Sequence, residues 1–258
     1  MRYWKMTLAY DGTAYHGWQV QPGLPTVQGR LAAALKLLTG ETVLPQGSGR
    51  TDAGVHALGQ VVSFGLEAPI PGENLLRALN RALPGAIRVL SVEAVEAEFH
   101  ARRGAVRKTY EYRLFPRVGV RPERICSPML AAYVWDCPWE IDLGRAEAAA
   151  RVILGEHDFS SFAASDPDRT ERLSGVERSN VRTVYESGWS ELDGLMVYRV
   201  VGNGFLHHMV RNLVGCFVDA ACGRTEVSEV AGILAAKDRT ACGATAPASG
   251  LFLVGVEY

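Results

Sequence analysis

The chain has 258 residues, of which 48% are hydrophobic and 21% charged. That is the composition of a globular protein, long enough for one large domain or two of ordinary size, and it excludes a disordered or fibrous chain. A formal net charge of −1 excludes a generally basic nucleic-acid binder, and no apolar run approaches the roughly 20 residues that span a bilayer.

Residues 2–10 alternate around Met6, Leu8 and Tyr10 and predict a strand. Thr26 caps a helix whose apolar positions Val27, Leu31, Ala34, Leu35 and Leu38 recur at helical spacing until Gly40 stops it. A short strand over Thr42–Pro45, a glycine-rich loop and a strand over Gln60–Phe64 come next. Pro71-Gly72 opens a helix carrying Leu75, Leu76, Leu79 and Leu83, Pro84-Gly85 ends it, and Ile87–Val95 is a strand. The order β-α-β-β-α-β is that of a ferredoxin-like split unit.

The second half repeats the order. Strands are expected over Val106–Phe115 and Leu130–Trp135, a helix over Leu143–Leu154, and a strand pair over Val181–Trp189 and Met196–Gly202. Helices over Phe205–Cys222 and Val227–Ala236 and a closing strand over Leu251–Val256 complete it. Charges of both signs mix with serine between Ser165 and Ser179, among them Asp166, Asp168, Arg169, Glu171 and Arg172, so a loop is expected there. The expected class is α+β: two ferredoxin-like βαββαβ halves, residues 1–104 and 105–258, forming an antiparallel sheet with helices on one face.

The densest chemistry lies in Gly47-Ser-Gly-Arg-Thr-Asp-Ala-Gly-Val-His-Ala57. Arg50, Asp52 and His56 stand among glycines that permit tight backbone and close approach of another molecule. An arginine two residues from Asp52 favours the ionised carboxylate that a nucleophile or electrostatic stabiliser requires. A surface turn in which Asp52 bonds its own backbone is the other reading of the same residues. No Gly-Lys-Ser/Thr follows, so this is not a nucleotide P-loop.

Charge is distributed unevenly. Arg102, Arg103, Arg107, Lys108, Arg113, Arg117, Arg121 and Arg124 are opposed in that span only by Glu111 and Glu123, leaving +6 there and −7 elsewhere. Arginine pairs bidentately with phosphate and stacks on bases, so the segment is a candidate nucleic-acid contact; a solvated strand face is the alternative. Cys126, Cys137, Cys216, Cys222 and Cys242 are odd in number and contain no C-x-x-C, which fits reduced thiols in a cytoplasmic protein. No apolar stretch follows Met1-Arg-Tyr-Trp-Lys, so no signal peptide is expected. With no H-x-x-x-H pair, no metal site is expected either.

The word Arg50-Thr-Asp-Ala-Gly-Val-His-Ala57 resembles the active-site motif of the TruA family of tRNA pseudouridine synthases. The resemblance continues at Tyr10-Asp-Gly-Thr-Ala-Tyr-His-Gly-Trp-Gln19, Phe99-His-Ala-Arg102, Lys108-Thr-Tyr-Glu-Tyr112 and His157-Asp-Phe-Ser-Ser-Phe162. Further blocks are Asn203-Gly-Phe-Leu-His-His-Met-Val-Arg-Asn212, Ala235-Ala-Lys-Asp-Arg239 and Gly250-Leu251. These stand in family order over nearly the whole chain. The sequence departs from the pattern at Ala246-Pro-Ala-Ser-Gly-Leu251, with one proline where two are common. It departs again at Ala131-Ala132, where basic residues are common.

The resemblance implies a core with a central cleft where the halves meet, and conversion of uridine to pseudouridine at tRNA positions 38 to 40 by a homodimer without metal or cofactor. It implies that Asp52 starts the reaction, Arg50 helps evict or replace the target base, and Tyr110 stacks on the uracil. Arg211 would pair with the catalytic carboxylate and Leu251 would pack near the base. Arg102, Arg107 and Lys108 are candidate tRNA contacts. Tyr112 shares a strand face with Tyr110 by the two-residue period, and only the motif chooses between them. A non-catalytic RNA-binding protein is the competing class, and a nucleoside or glycoside hydrolase built on Asp52 is a third.

Overall fold

The computed structural model describes residues 1–117, 124–165 and 179–258. Arg121 and Glu123 of the basic segment, and the expected loop over residues 166–178, lie outside them. The chain divides into two units, Met1–Thr109 with Phe252–Tyr258, and Tyr110–Leu251.

In the first unit β1 (Arg2–Tyr10) buries alternate residues Trp4, Met6, Leu8 and Tyr10, the period of a strand with one face on a core. Helix α1 (Val27–Thr39) starts where the Thr26 hydroxyl accepts the Gly29 N–H, and it ends at Gly40 in the left-handed region, φ 77°. Both signals are local, and both are read from sequence. Strands β2 (Gln46–Gly47) and β3 (His56–Leu66), helix α2 (Gly72–Ala82) and strand β4 (Ile87–Val95) follow. The strands run in the order β4-β1-β3, with β1 antiparallel to both neighbours and β2 antiparallel to β3. The strand expected over Thr42–Pro45 does not form. There the backbone is held by side chains instead: Gln28 Nε2 donates to the Pro45 carbonyl and Gln46 Nε2 to that of Leu44.

The second unit contains most of β5 (Arg107–Pro116), then α3 (Pro128–Ala131), β6 (Trp135–Cys137), α4 (Leu143–Arg151), β7 (Gly155–Asp158), β8 (Val181–Leu192) and β9 (Leu195–Gly202). Helices α5 (Met209–Ala221) and α6 (Glu229–Ala236) complete it before β10 (Leu251–Glu257). Its strands run β5-β9-β8-β7. Two expectations need correction here, and one strand was not expected. Residues 128–131 are a helical turn rather than a strand, because the Ser127 hydroxyl accepts the Met129 N–H and Pro128 occupies the first helical position. Helix α5 starts at Met209, not Phe205, because His208 is left-handed, φ 58°. The four-residue β7, polar throughout, pairs with β8 and carries no apolar alternation that would announce it.

The fold is α+β, as expected, but the sheet is mixed. Besides the antiparallel pairs, Phe252 and Leu253 of β10 run parallel to His56 and Ala57 of β3, and β5 runs parallel to β6. Helix α5 is buried on most of its surface, with Leu213, Val214, Phe217 and Val218 all but inaccessible. No helix of the described residues is long and apolar enough to cross a membrane.

Candidate active site

The glycine-rich loop is held from behind by buried polar groups of the first unit. Ser48 and Gln60 are both fully buried. The Ser48 hydroxyl donates to Gln60 Oε1 at 2.6 Å, and Gln60 Nε2 donates to the Gly49 carbonyl at 3.0 Å. The Ser48 N–H donates to the Val61 carbonyl at 2.8 Å. On its other side, Lys108 Nζ donates to the Ser48 carbonyl at 2.7 Å. Gly47 lies flat on Trp18, where a Cβ would come within 2.7 Å of the indole.

The segment that carries Asp52 is gripped in the same way. Tyr10 Oη and Thr51 Oγ1 are 2.8 Å apart, and the Trp18 N–H donates to the Thr51 carbonyl. Burial, offset by the bonds to Thr51 and Gln60, pushes the Tyr10 phenol up to about 12, so it stays protonated and able to donate across the physiological range. Gly17, φ 82°, approaches the Thr51 carbonyl so closely that a Cβ would sit 2.5 Å away. Beyond Asp52 the chain turns: the Val55 N–H donates to the Asp52 carbonyl, and Gly54, φ 79°, donates to the carbonyl of Tyr15. His56 is buried, accepts the Gly12 N–H on Nδ1 at 3.1 Å and stacks on Phe252 at 4.7 Å. Those contacts suit a loop-orienting role. Arg50 and Asp52 themselves are half-buried.

Tyr110, Arg211 and Leu251 belong to the second unit. Tyr110 is buried and meets Phe205 edge-on at 5.2 Å. Tyr112, its rival by sequence, is fully buried; its hydroxyl donates to the Pro247 carbonyl at 2.8 Å. Its ring lies under Gly250, where a Cβ would fall 2.6 Å from Cζ. Burial holds the Tyr112 phenol well above its ordinary value, opposed by the charge of Arg211. Tyr112 is therefore packed as a core residue. Arg211 Nε donates to the Ala246 carbonyl at 2.8 Å, and Leu251 is buried at the end of the 248–250 turn.

The basic segment is less available than its sequence suggests. Arg117 makes a bidentate bridge to Asp136 at 2.7 and 2.6 Å, which holds that carboxyl below its ordinary range. Arg124 donates to the Gly194 carbonyl and covers the Phe115 ring at 4.3 Å. Arg113 lies 3.9 Å from Glu111, which also pairs with Arg199. Arg107 is exposed and Arg102 half-exposed, the latter in a turn where the His100 ring accepts its N–H. Lys108 anchors the loop. Sequence reasoning missed Gln60, Ser48 and Tyr10 as parts of the site; the Tyr10–Gln19 block is visible as a motif, but its contact with Thr51 is not.

The profile of the tRNA pseudouridine synthase family matches residues 6–102 and 149–258, and the chain belongs to that family. It is similar to tRNA pseudouridine synthase A of Solibacter usitatus, 49% identical over 258 residues that make up the whole of both chains. It is also similar to the enzymes of that name from Maridesulfovibrio salexigens, 44% identical over 98% of this chain and 89% of the other, and Lacticaseibacillus casei, 43% identical over the full length of both.

Proposed function

We propose that this protein isomerises uridine to pseudouridine in the anticodon stem-loop of tRNA, at positions 38 to 40, as a cytoplasmic homodimer. The observation that carries the reading is a carboxylate, Asp52, on a loop whose residues Ser48, Gly49 and Thr51 are held by hydrogen bonds, in a chain that belongs to the family. A binding module has no use for a fixed anion facing a phosphate polymer.

The reaction breaks the bond between the anomeric carbon and N1 of uracil, turns the base and rejoins it through C5, with the C5 proton released and a proton taken up at N1. Asp52 starts it. The target base leaves its stack at a cost of a few kcal/mol; Arg50 helps to evict or replace it, and the Tyr110 ring stacks on the extruded uracil. Arg211 pairs with the carboxylate, Leu251 packs near the base, and Arg102, Arg107 and Lys108 contact the tRNA backbone. The two ferredoxin-like halves, residues 1–104 and 105–258, supply these residues. The β4-β1-β3 order with β2 against β3, and the β5-β9-β8 order, support that description of each half.

The test is tritium release from tRNA labelled at C5 of uracil. Rejoining the base at that carbon displaces the label, so release is expected. A non-catalytic RNA-binding protein or a hydrolase would leave the label in place.

A further inference from the structure

We infer that Gln60 is a positioning residue for the reaction: its side-chain amide holds the Gly49 carbonyl and the Ser48 hydroxyl, just ahead of Arg50 and Asp52. The inference rests on the reading of Asp52 as the reactive carboxylate.

Gln60 lies on β3, paired with Leu8 of β1, so its backbone belongs to the rigid part of the first unit. Its amide faces the loop with both ends engaged. The Gly49 carbonyl can only accept, so the NH2 group must face it; Oε1 then receives the Ser48 hydroxyl. The amide orientation is thus dictated by the partners. On the far side of Arg50 the Tyr10 phenol holds Thr51, the residue before Asp52. Gln60 fixes Ser48 and Gly49 and Tyr10 fixes Thr51, so Arg50 is bracketed by held residues.

No other residue type does the same work. Glutamate reaches as far but, when ionised, has no proton for the Gly49 carbonyl. Methionine fills the space and bonds to neither partner. Asparagine keeps the amide but falls one methylene short. In each case the Ser48–Arg50 stretch is not abolished but loosened, since Lys108, Trp18 and Val61 still hold it. A reacting group displaced by about 1 Å loses on the order of 100-fold in rate, and this is where a buried glutamine acts on chemistry it does not touch.

The experiment measures kcat and KM for tRNA with Gln60→Glu, Gln60→Met, Ser48→Ala and the Ser48→Ala/Gln60→Met pair, beside wild type, Asp52→Asn and Ser187→Ala. Ser187 is a hydroxyl of the second unit that bonds the Ala150 carbonyl and Tyr198, and it reports what losing an ordinary internal hydrogen bond does. Gln60→Glu and Gln60→Met should lower kcat by about 10- to 100-fold with KM within about twofold of wild type. Ser48→Ala, the milder change, should lower kcat less. The double variant should fall no further than Gln60→Met, because Gln60→Met already removes the bond that Ser48→Ala removes. Ser187→Ala should lower the melting temperature without changing kcat. The inference is overturned if Gln60→Met and Ser48→Ala keep wild-type kcat, or if their losses simply follow melting temperature as Ser187→Ala does. If Gln60→Met fails to fold, Ser48→Ala decides by the same split. An inactive wild type, or an Asp52→Asn variant as active as wild type, would instead sink the functional reading beneath it.

Discussion

The Lys108 ammonium stands 2.7 Å from the carbonyl oxygen of Ser48, sixty residues away in the chain. A lysine in a run of basic residues is thus fastened to the loop that carries Asp52, which separates it from its neighbours in the run. Replacing Arg102 or Arg107 by alanine should weaken tRNA binding and reduce the logarithmic salt slope by roughly 0.7–0.9 for each phosphate no longer neutralised, with kcat unchanged. Lys108→Met should lower kcat as well. Titrations of binding at several salt concentrations, beside steady-state kinetics, separate the two effects; a Lys108→Met variant that changes affinity alone would leave Lys108 a phosphate contact and nothing more.

Asp52→Asn should abolish pseudouridine formation and leave the fold and most tRNA affinity intact. Removing an anion beside a phosphate polymer does not weaken binding, and the buried bonds behind the loop do not involve the Asp52 side chain. Turnover near the wild-type rate would refute the role of the carboxylate.

Tyr110 and Tyr112 should respond differently to the same substitution. Tyr110→Phe keeps a ring able to stack, worth roughly 1–3 kcal/mol on a base, and should retain binding while conversion slows; Tyr110→Ala should lose both. Tyr112→Phe deletes the bond to the Pro247 carbonyl and should cost about 1 kcal/mol of stability, with activity preserved. Denaturation and kinetics on both variants check this, and the reverse pattern would shift the substrate contact by two residues.

The buried Tyr10 phenol gives stability an alkaline dependence. Below pH 10.0, its ordinary value, folded and unfolded chains both keep the proton. From there up to about 12 the unfolded chain loses it while the folded chain does not. Each pH unit in that window therefore lowers stability by about 1.4 kcal/mol on account of this one group. Tyr10→Phe removes the hydroxyl that meets Thr51 and should start less stable, yet decline less steeply. Urea unfolding at about pH 9 and about pH 11 measures both slopes, and equal slopes would show that the phenol is not held neutral by the fold.

What the sequence made legible was what it encodes locally. Thr26 and Gly40 bound α1 because caps are set by adjacent residues, and the glycine loop announced itself by its own composition. The Tyr10–Thr51 and Gln60–Ser48 contacts were not legible, since a tyrosine in an alternating strand reads as core and a glutamine as a polar position. The parallel pairing of β10 with β3 joins segments almost 200 residues apart, and no hydrophobic period specifies such a partner. The charge count in the basic segment misled for a related reason. It could not see that Asp136 lies against Arg117 and absorbs it. Of the two tyrosines, the motif chose Tyr110 by resemblance, and the bond of Tyr112 to the Pro247 carbonyl was not legible in the sequence.

The pairing of Phe252 and Leu253 with His56 and Ala57 has a consequence for the chain while it is being made. Domains fold as they emerge from the ribosome, N-terminal parts first. The first unit cannot finish that way, because its own strand arrives only after all of residues 110–251 have been translated. Until then the His56 ring lacks the phenyl group that covers it, and Gly59 lacks the Val254 carbonyl that packs against it. The loop bearing Asp52 therefore receives its last support only when residues 252–254 emerge, after the whole of the second unit.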